Sequence, residues 1–310
     1  MTGVMPKVSM LIISYNEKNF LSRAISSSIA QTYANKEIIV GDDGSNDGSI
    51  EFIKELGDSI RFFIMRRDNS PVIPSIRVSN VIKRGIKESV GKYFTILSGD
   101  DYYTDPHMIE EAVNYLEGHP DYAAYIYGFT RVNEMEQEID KHISRKQSRW
   151  MYWSGDYTHI SCFVFRTPKD ETLLDRMCDD TGLEFVLAQI GKWKFSEKVT
   201  LAYRQREKSI QHDADLVELA ILEAMIYQDI LNYNGKCIMK LATLSRFYRP
   251  MRYLEKNKNK LNEPKYSKYI ESCAKYDNDI LNAIIVGENV SAKMWFYNRL
   301  YAVKRRLLQV

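Results

Sequence analysis

The sequence predicts an α/β protein with a mainly parallel sheet flanked by helices and a helical C-terminal region. Short apolar runs alternate with stretches of helical spacing through the first 120 residues, an order typical of parallel sheets covered on both faces. The 310-residue chain is 45% hydrophobic and 27% charged, a globular balance that excludes a collagen-like or largely disordered protein. A chain of this length buries a sizeable core without disulfides or metals.

Each element is predicted from its own pattern. Apolar runs predict the first four strands at residues 8–13, 37–40, 61–65 and 92–97. Helical spacing predicts helices at 20–31, 49–56, 76–90 and 106–116. Beyond residue 120 the pattern predicts strands at 123–130, 160–165 and 199–203, a helix at 183–190 and an aromatic loop at 150–158. From residue 216 onward helices dominate.

The formal net charge of +2 conceals a division along the chain. Residues 246–310 hold 14 Lys and Arg against 6 Asp and Glu, a net charge of +8, so residues 1–245 carry −6. The total gives no reason to expect a nucleic-acid partner. The four cysteines form no close pair, and the N-terminal apolar run is too short for a signal peptide. No stretch approaches the roughly 20 apolar residues of a membrane-spanning helix, so we expect a cytoplasmic protein with reduced thiols.

Three polar clusters directly follow predicted strands. They are Ser14-Tyr15-Asn16, Asp42-Asp43 and Asp100-Asp101. Parallel sheets bind ligands at the carboxyl ends of their strands, so this topology would gather the three clusters along one edge.

Each cluster has a functional and an ordinary interpretation. The adjacent carboxylates of Asp100 and Asp101 would attract Mg²⁺ or Mn²⁺ shared with substrate phosphates; alternatively they form a solvated turn before a helix. Asp43 would accept the imide N–H of a uracil or thymine ring, or belongs to a turn that Gly44 completes. Tyr15 would stack on a flat base, or packs on the following helix. Taken singly, each cluster favours the ordinary interpretation.

Taken together, the clusters resemble family 2 glycosyltransferases, which have the GT-A nucleotide-diphospho-sugar transferase fold. The resemblance is carried by their order, their spacing and their shared place at strand ends. The matching segments are 8–17, 27–33, 37–49 and 91–101. The resemblance covers residues 8 to about 120 strongly and reaches about 210 more weakly. It implies a GT-A catalytic domain at 1–209, made of a nucleotide-binding half at 1–120 and an acceptor half at 121–209, followed by a helical region at 210–310.

The resemblance implies a nucleotide-sugar donor, with a UDP-sugar favoured. Tyr15 and Asp43 would hold the base. The remaining implied donor contacts are Ile13, Ser14, Glu17 and Asp100. Asp101, with Asp100, would bind Mn²⁺ or Mg²⁺.

The chain departs from the family pattern at two places in this half. Many members have an Asp where this chain has Ser98, which leaves Asp100 and Asp101 as the carboxylates of the metal motif. Members often show Arg-Asn where Ile82-Lys83 stand here. Arg77 or Lys83 would then serve the diphosphate, although a solvated helix face is the favoured interpretation for both.

Inversion at the anomeric carbon needs a base opposite the leaving group. Asp180 stands eleven residues before Gly191-Lys192, which matches the usual family spacing, so Asp180 is the favoured base. Asp179 and Glu184 are the runners-up, and helix capping is the alternative role for the aspartates.

Four basic or imidazole side chains are further candidates. His159 precedes a predicted strand and would contact the acceptor, or else is satisfied by backbone. Tyr203-Arg204-Gln205-Arg206 resembles a Tyr-Arg-x-His segment of relatives, so Arg206 replaces a His and the metal contact of that His is lost. Arg204 and Arg206 would instead bind diphosphate as bidentate donors, with His212 as a weak substitute for the His.

The spacing of apolar residues in 292–308 predicts an amphipathic helix, which carries five positive charges. Such a helix would lie on an anionic membrane, or would pack on the protein or on the second copy of a homodimer. The combined expectation is an inverting, metal-dependent transferase at the inner face of the cell membrane that adds sugars to a glycan or lipid-linked saccharide of a surface polysaccharide.

Three other classes of protein are alternatives. A sugar-nucleotide nucleotidyltransferase would show a glycine-rich basic loop after the first strand, whereas Ser14-Tyr15-Asn16-Glu17 stand there. A dinucleotide-dependent oxidoreductase would show G-x-G-x-x-G at that position. A non-catalytic sugar-binding or membrane adaptor on the same fold remains the third alternative, and the retained aspartates argue against it.

Overall fold

The structure is a computed structural model that describes residues 4–57, 60–67, 74–144, 159–175, 180–206, 215–232 and 249–272. Its strands are β1 (Val8–Ser14), β2 (Lys36–Asp42), β3 (Arg61–Ile64), β4 (Tyr93–Ser98), β5 (Tyr102–Tyr103), β6 (Tyr122–Val132), β7 (Glu138–His142), β8 (Phe163–Arg166) and β9 (Lys192–Arg204). Its helices are α1 (Lys18–Ile29), α2 (Ser49–Glu55), α3 (Pro74–Glu88), α4 (Met108–Gly118), α5 (Glu171–Leu174), α6 (Asp180–Ile190), α7 (Leu216–Asn232) and α8 (Pro264–Ser272). Residues 249–256 are also helical.

One sheet holds all these strands, in the order β3-β2-β1-β4-β8-β6-β9-β5, with β7 paired to β6. The four strands β3, β2, β1 and β4 are parallel. The fold is therefore α/β with a mainly parallel first half, as predicted.

The register brings the predicted clusters to one edge. Ser14 at the end of β1 lies opposite Asp42 at the end of β2, and Ile13 lies opposite Ser98 at the end of β4. All seven residues of β1 are buried, because a parallel strand covered on both faces contacts apolar side chains on either side. The polar residues that follow the strands are thus held against a rigid core.

The second half of the sheet contains both parallel and antiparallel pairs, and two of the strands predicted there need correction. The strand predicted at 160–165 is wrong in its first half, because residues 160–162 form a 3₁₀ turn and β8 begins at Phe163. The strand predicted at 199–203 is the end of the much longer β9, which pairs in parallel with β6 along its length. Trp193 and Phe195 are buried while Lys192 is exposed, an alternation that a period-2 search would have found.

The core is continuous from β1 into the later helices. Leu11, Phe94 and Phe163 of the sheet belong to the same cluster of buried side chains as Ile221 of α7 and Leu254. The division into domains at residue 209 stays a prediction, and so does the amphipathic helix at 292–308, which lies outside the described residues. Within the described part of the chain, no helix is long and apolar enough to cross a bilayer.

Candidate active site

The loop after β1 exposes an aromatic face. Tyr15 is 37% exposed, and the guanidinium of Arg67 lies 3.7 Å from the centre of its ring. Asn16 adopts a left-handed conformation, φ 54°, which an Asn tolerates. Its backbone N–H donates to Ser45 Oγ over 2.9 Å. The loops after β1 and β2 are therefore tied together, with Tyr15 held at the rim.

The two aspartates at the end of β2 have different environments. Asp42 is fully buried, and its carboxylate accepts hydrogen bonds from the backbone N–H and the hydroxyl of Ser45, both over 2.7 Å. These contacts stabilise the turn at Gly44, where φ is +76° and glycine is favoured. Asp42 has a turn-forming role, whereas the next residue faces the ligand edge.

Asp43 lies between two arginines. Its Oδ2 is 3.8 Å from an Arg67 guanidinium nitrogen, and its Oδ1 is 3.7 Å from one of Arg77. Burial raises the pKa of Asp43, the Arg77 charge opposes the rise, and Asp42 adds to it. We call Tyr15, Asp43, Arg67 and Arg77 the base site, after the role that the resemblance implies for Tyr15 and Asp43. Arg67 was missed from the sequence, although it follows the carboxyl end of β3 and the rule applied to the other strands would have found it.

The aspartates after β4 are held from β9. Asp101 is 1% exposed, and its Oδ1 accepts a hydrogen bond from the backbone N–H of Arg204 over 2.9 Å. Arg204 Nε donates to the backbone carbonyl of Asp100 over 2.9 Å. Asp100 itself forms an ion pair with Arg206 over 2.7 Å. The end of β9 thus fixes both carboxylates of the predicted metal motif.

Glu17, Asp100 and Asp101 are three acidic residues in one buried region, which we call the carboxylate cluster. Burial raises the pKa of Glu17 and of Asp101 well above their ordinary values, and the charge of Asp100 adds to both rises. Burial also raises the pKa of Asp100, opposed mainly by Arg206. The cluster therefore favours any ligand that brings positive charge.

Arg204, at the end of β9, and Arg206, two residues later, differ in their contacts. Arg204 is 4% exposed, and its guanidinium donates to the carbonyl of Glu134 and to Glu136 Oε1, each over 3.0 Å. These bonds hold protein groups rather than a ligand edge, which favours a positioning role for Arg204. Arg206 has a side chain 19% exposed, and it contacts Glu17 Oε1 over 3.2 Å. Of the two arginines predicted for the diphosphate, Arg206 is the more accessible.

His159 lies beside the metal motif. Its Nε2 is 3.9 Å from Asp101 Oδ2, and its Nδ1 accepts a hydrogen bond from the backbone N–H of Ser161 over 3.3 Å. Burial lowers the pKa of His159 to about 4, so the ring is neutral near pH 7. The expected backbone contact is present, and the nearness to Asp101 is a feature that sequence spacing did not indicate.

Asp180 is the first residue of α6 and is exposed, while Glu184 lies one turn further along and is half-buried. Gly191 follows the end of the helix, and a Cβ atom there would lie 2.8 Å from the Asp121 carbonyl oxygen. That close approach anchors the end of α6 against β6. Asp179 lies outside the described residues, as does His212, and the choice of base stays a prediction.

Asp100 and Asp101 offer oxygen ligands of the kind that a divalent cation prefers. Asp101 Oδ2 is buried, and no hydrogen bond reaches it from the described residues. A buried ionised oxygen without a partner is costly, and a cation with oxygen ligands would offset that cost. The described part of the chain contains no group of three or more His, Cys, Asp and Glu arranged to enclose a metal ion. Further ligands would therefore come from substrate phosphates and water.

The sheet order, the edge that gathers the clusters and the acidic motif after β4 define a GT-A glycosyltransferase. The sequence profile of the family described as glycosyl transferase family 2 matches residues 9–174. A Rickettsia typhi protein described as an uncharacterized glycosyltransferase, RT0329, is 33% identical over 278 residues, covering 81% of this chain and 82% of that protein. The chain belongs to glycosyl transferase family 2 and is a transferase enzyme, as the resemblance implied.

Other relatives share a part of their length. An uncharacterized glycosyltransferase of Rickettsia bellii is 40% identical over 125 residues, which are 40% of this chain and 17% of that protein. A Rickettsia felis protein matches in the same way over 19% of its length. The chain thus spans less than a fifth of these two relatives.

Solved structures agree on the fold. Staphylococcus aureus TarS residues 1–349, crystallised with UDP-GlcNAc, has a TM-score of 0.58 and 14% sequence identity, covering 97% of this chain and 89% of that one. The same fragment crystallised with UDP has a TM-score of 0.55 and 15% identity, covering 97% and 91%. At this identity the likeness confirms the GT-A architecture.

Proposed function

We propose that this chain is an inverting, metal-dependent glycosyltransferase that takes a sugar from a UDP-sugar. The observation that carries the proposal is the order of charges at the base site. Arg67, Asp43 and Arg77 present a donor, an acceptor and a donor in sequence. The imide edge of uracil presents an acceptor carbonyl, a donor N–H and a second acceptor carbonyl, which is the complement.

Guanine and cytosine match this edge less well, whereas thymine presents the same imide edge as uracil. Guanine presents one acceptor and two neighbouring donors, so an arginine would face an N–H group. Cytosine presents a donor amino group and two acceptors, so Asp43 would face a ring nitrogen lone pair. Arginine stays protonated and cannot accept a hydrogen bond, so these mismatches are not relieved by proton transfer. The TarS crystals with UDP-GlcNAc and UDP support the same choice of nucleotide.

The face of Tyr15 is the proposed platform for the ring of the base. Arg67 covers that face at 3.7 Å, so a stacked base would displace the guanidinium toward the carbonyl edge. A base–aromatic stack is worth about 1–3 kcal/mol, more than the about 0.5–1 kcal/mol of an exposed cation–π contact. Replacing the Arg67 guanidinium by a stacked base on the Tyr15 ring is therefore favourable.

The diphosphate would extend from the base site toward the carboxylate cluster. Asp101 and Asp100 would hold Mn²⁺ or Mg²⁺ there, and a bound cation would neutralise charge on the departing diphosphate. Arg206 would donate to the phosphate oxygens.

Asp180 is proposed to accept the proton of the acceptor hydroxyl. The hydroxyl oxygen then bonds to the anomeric carbon, while the bond from that carbon to the diphosphate oxygen breaks and its electron pair leaves with UDP. Attack from the face opposite UDP inverts the configuration. The charge that develops on the sugar is oxocarbenium-like, as in other glycosyl transfers.

The acceptor is proposed to be a saccharide, free or lipid-linked, in surface polysaccharide synthesis, with residues 292–310 contacting an anionic membrane. The support is the basic character of that segment and its amphipathic spacing. Deleting residues 292–310 should weaken binding to liposomes that contain anionic lipid. Unchanged liposome binding would sink the membrane contact while leaving the donor proposal intact.

The donor proposal is tested by calorimetry with UDP, GDP, CDP and ADP in the presence of Mn²⁺. UDP should bind at least about tenfold more tightly than each of the others, since each mismatched pair loses a charge-assisted hydrogen bond. Tighter binding of GDP or CDP would contradict the assignment.

The proposed base is tested by Asp180→Asn with Glu184→Gln as its matched variant. Asp180→Asn should bind UDP as the wild type does and lose about 10²–10⁴-fold in transfer. If Glu184→Gln shows that loss instead, the base is Glu184.

A further inference from the structure

Arg206 stands where the family segment has a histidine, and its guanidinium lies inside the carboxylate cluster. It contacts Asp100 Oδ2 over 2.7 Å and Glu17 Oε1 over 3.2 Å. The side chain is 19% exposed, and those of the two acids are 13% and 11% exposed. One guanidinium therefore bridges two largely buried carboxylates.

This bridge places a positive charge where a divalent cation would be expected. Asp100 follows β4 directly beside Asp101, and both were predicted as metal ligands. A cation bound to these carboxylates would stand within a few ångströms of the Arg206 guanidinium, and like charges at that distance repel strongly in a partly buried site. The guanidinium and the cation therefore compete for the same acidic groups.

The bridge leaves Arg206 incompletely paired. Its Nε–H group is buried and donates no hydrogen bond to the described residues. A guanidinium has five N–H groups in a planar fork, and phosphate oxygens match that fork in bidentate geometry. An arriving diphosphate offers Arg206 more acceptors than the two carboxylates do.

We propose that Arg206 keeps the divalent cation away from Asp100 and Asp101 in the free protein and yields this place when a nucleoside diphosphate binds. The phosphate oxygens accept hydrogen bonds from the Arg206 guanidinium, and Asp100 is thereby released from its ion pair. The cation then enters between the carboxylates and the phosphates. The inference rests on the proposed nucleotide donor, and it adds an order of binding in which nucleotide precedes or accompanies metal.

Glu17 acts in this inference as a positioning residue. Its carboxylate lies under the loop after β4, where a Cβ atom on Gly99 would collide with Glu17 Oε2. It therefore holds Arg206 toward Asp100 without itself reaching the loop surface.

The first experiment measures Mn²⁺ binding without nucleotide, by electron paramagnetic resonance of the free ion, on the full chain. Arg206→Ala and Arg206→His should bind Mn²⁺ roughly tenfold or more tightly than the wild type, since an opposing charge-assisted pair is removed. Arg61→Ala is the matched control, because it removes one positive charge from a half-exposed side chain at the amino end of β3, where Arg61 pairs with Glu37, and it should leave the affinity unchanged. Equal affinity in the wild type and both Arg206 variants overturns the inference.

Arg206→Lys separates charge from the shape of the side chain and guards against a folding defect in the alanine variant. It keeps the positive charge, so it should bind Mn²⁺ as weakly as the wild type. If it binds as tightly as Arg206→Ala, the charge argument is wrong.

The second experiment repeats the titration with saturating UDP. Wild-type affinity for Mn²⁺ should rise at least tenfold, and by reciprocity Mn²⁺ should tighten UDP by the same factor. The coupling should be clearly smaller in Arg206→Ala. If UDP fails to bind the wild type, the proposed donor is wrong, whereas the titration without nucleotide still decides on Arg206. If UDP binds and the coupling is the same in both proteins, the further inference alone fails.

Discussion

The base site and the carboxylate cluster both combine acids with arginines, but they differ in packing. At the base site the Asp43 pairs measure 3.7 and 3.8 Å, and Tyr15 is open to solvent. In the carboxylate cluster the Arg206–Asp100 pair measures 2.7 Å, and Asp101 Oδ2 is buried without a hydrogen bond from the described residues. Both regions hold largely buried carboxylates, but one has longer ion pairs beside an exposed aromatic ring, and the other has a shorter pair beside a carboxylate oxygen that receives no hydrogen bond from the described residues.

The difference between the two regions follows from the ligand groups that each is proposed to bind. In the proposed roles, a neutral base requires donors and acceptors that shift from each other to the ring at little cost, and ion pairs of 3.7–3.8 Å are long enough to allow that. A diphosphate with a cation brings large charges, so its site must be dry enough for those charges to interact strongly. A site of that kind is unfavourable for stability while empty, because like charges are held together.

Among substitutions in these two regions, the largest expected effect comes from Asp101→Asn. Transfer should fall by about 10²–10³-fold, the loss typical of removing one preorganised electrostatic contact to the transition state. The melting temperature should not fall, because an uncharged amide costs less to bury than an ionised carboxylate. The rate of UDP release measures transfer, and thermal unfolding curves give the melting temperature.

Asp140→Asn is the control for this substitution. Asp140 pairs with Arg131 at the surface, where both side chains are more than 40% exposed, and surface pairs contribute little. Transfer should stay at the wild-type level. A fall in the melting temperature of Asp101→Asn beyond that of Asp140→Asn would contradict the claim that the buried cluster costs stability.

The sequence predicted the parallel half of the sheet and the edge where the clusters meet, for a physical reason. Parallel strands joined by helices have a single favoured hand of connection, so the ends of β1, β2 and β4 have to be neighbours. Which aspartate of a pair faces the ligand depends on turn geometry instead. Asp42 bonds to Ser45 and Asp43 does not, a distinction that two adjacent identical residues cannot reveal.

The second largest effect is expected from Asp43→Asn. UDP should bind about 10–100-fold more weakly, because a charged acceptor opposite the imide N–H is lost. Turnover at saturating donor should remain close to that of the wild type, since the base site contacts the same group before and during reaction. Steady-state kinetics would separate the two parameters, and a fall in kcat comparable to the rise in KM would contradict the division between the two regions.

A pH titration sharpens the same comparison. Burial raises the pKa of Asp43 above its ordinary value, and the ionised carboxylate is the form that accepts the imide N–H. UDP affinity should therefore fall as pH decreases through that raised pKa, by up to about tenfold per pH unit below it. Asp43→Asn is the reference, because its profile retains every titration except that of Asp43. Parallel profiles in the two proteins would show that Asp43 does not titrate against the base.

The second half of the sheet was harder to predict because its contacts are non-local. Arg204 reaches Asp100 across more than a hundred residues, and β5 has two residues, too few for any periodic pattern. Its pairing with β9 appears only once the sheet is assembled. His159 likewise gains its neighbour Asp101 through the 3₁₀ turn before β8, where the apolar pattern indicated continuous strand.

The smallest effect is expected at Arg67, because two changes oppose each other there. Arg67→Ala removes a charged donor to the uracil edge, which costs affinity, but it also uncovers the face of Tyr15, which returns about 0.5–1 kcal/mol. The net result should be UDP binding weakened by about two- to fivefold. Arg66→Ala, which removes the same charge from the exposed neighbouring residue, should leave affinity unchanged. Tighter UDP binding in Arg67→Ala would mean that Arg67 acts as a cover for Tyr15 and makes no contact with the base, so that Asp43 and Arg77 alone would have to select uracil.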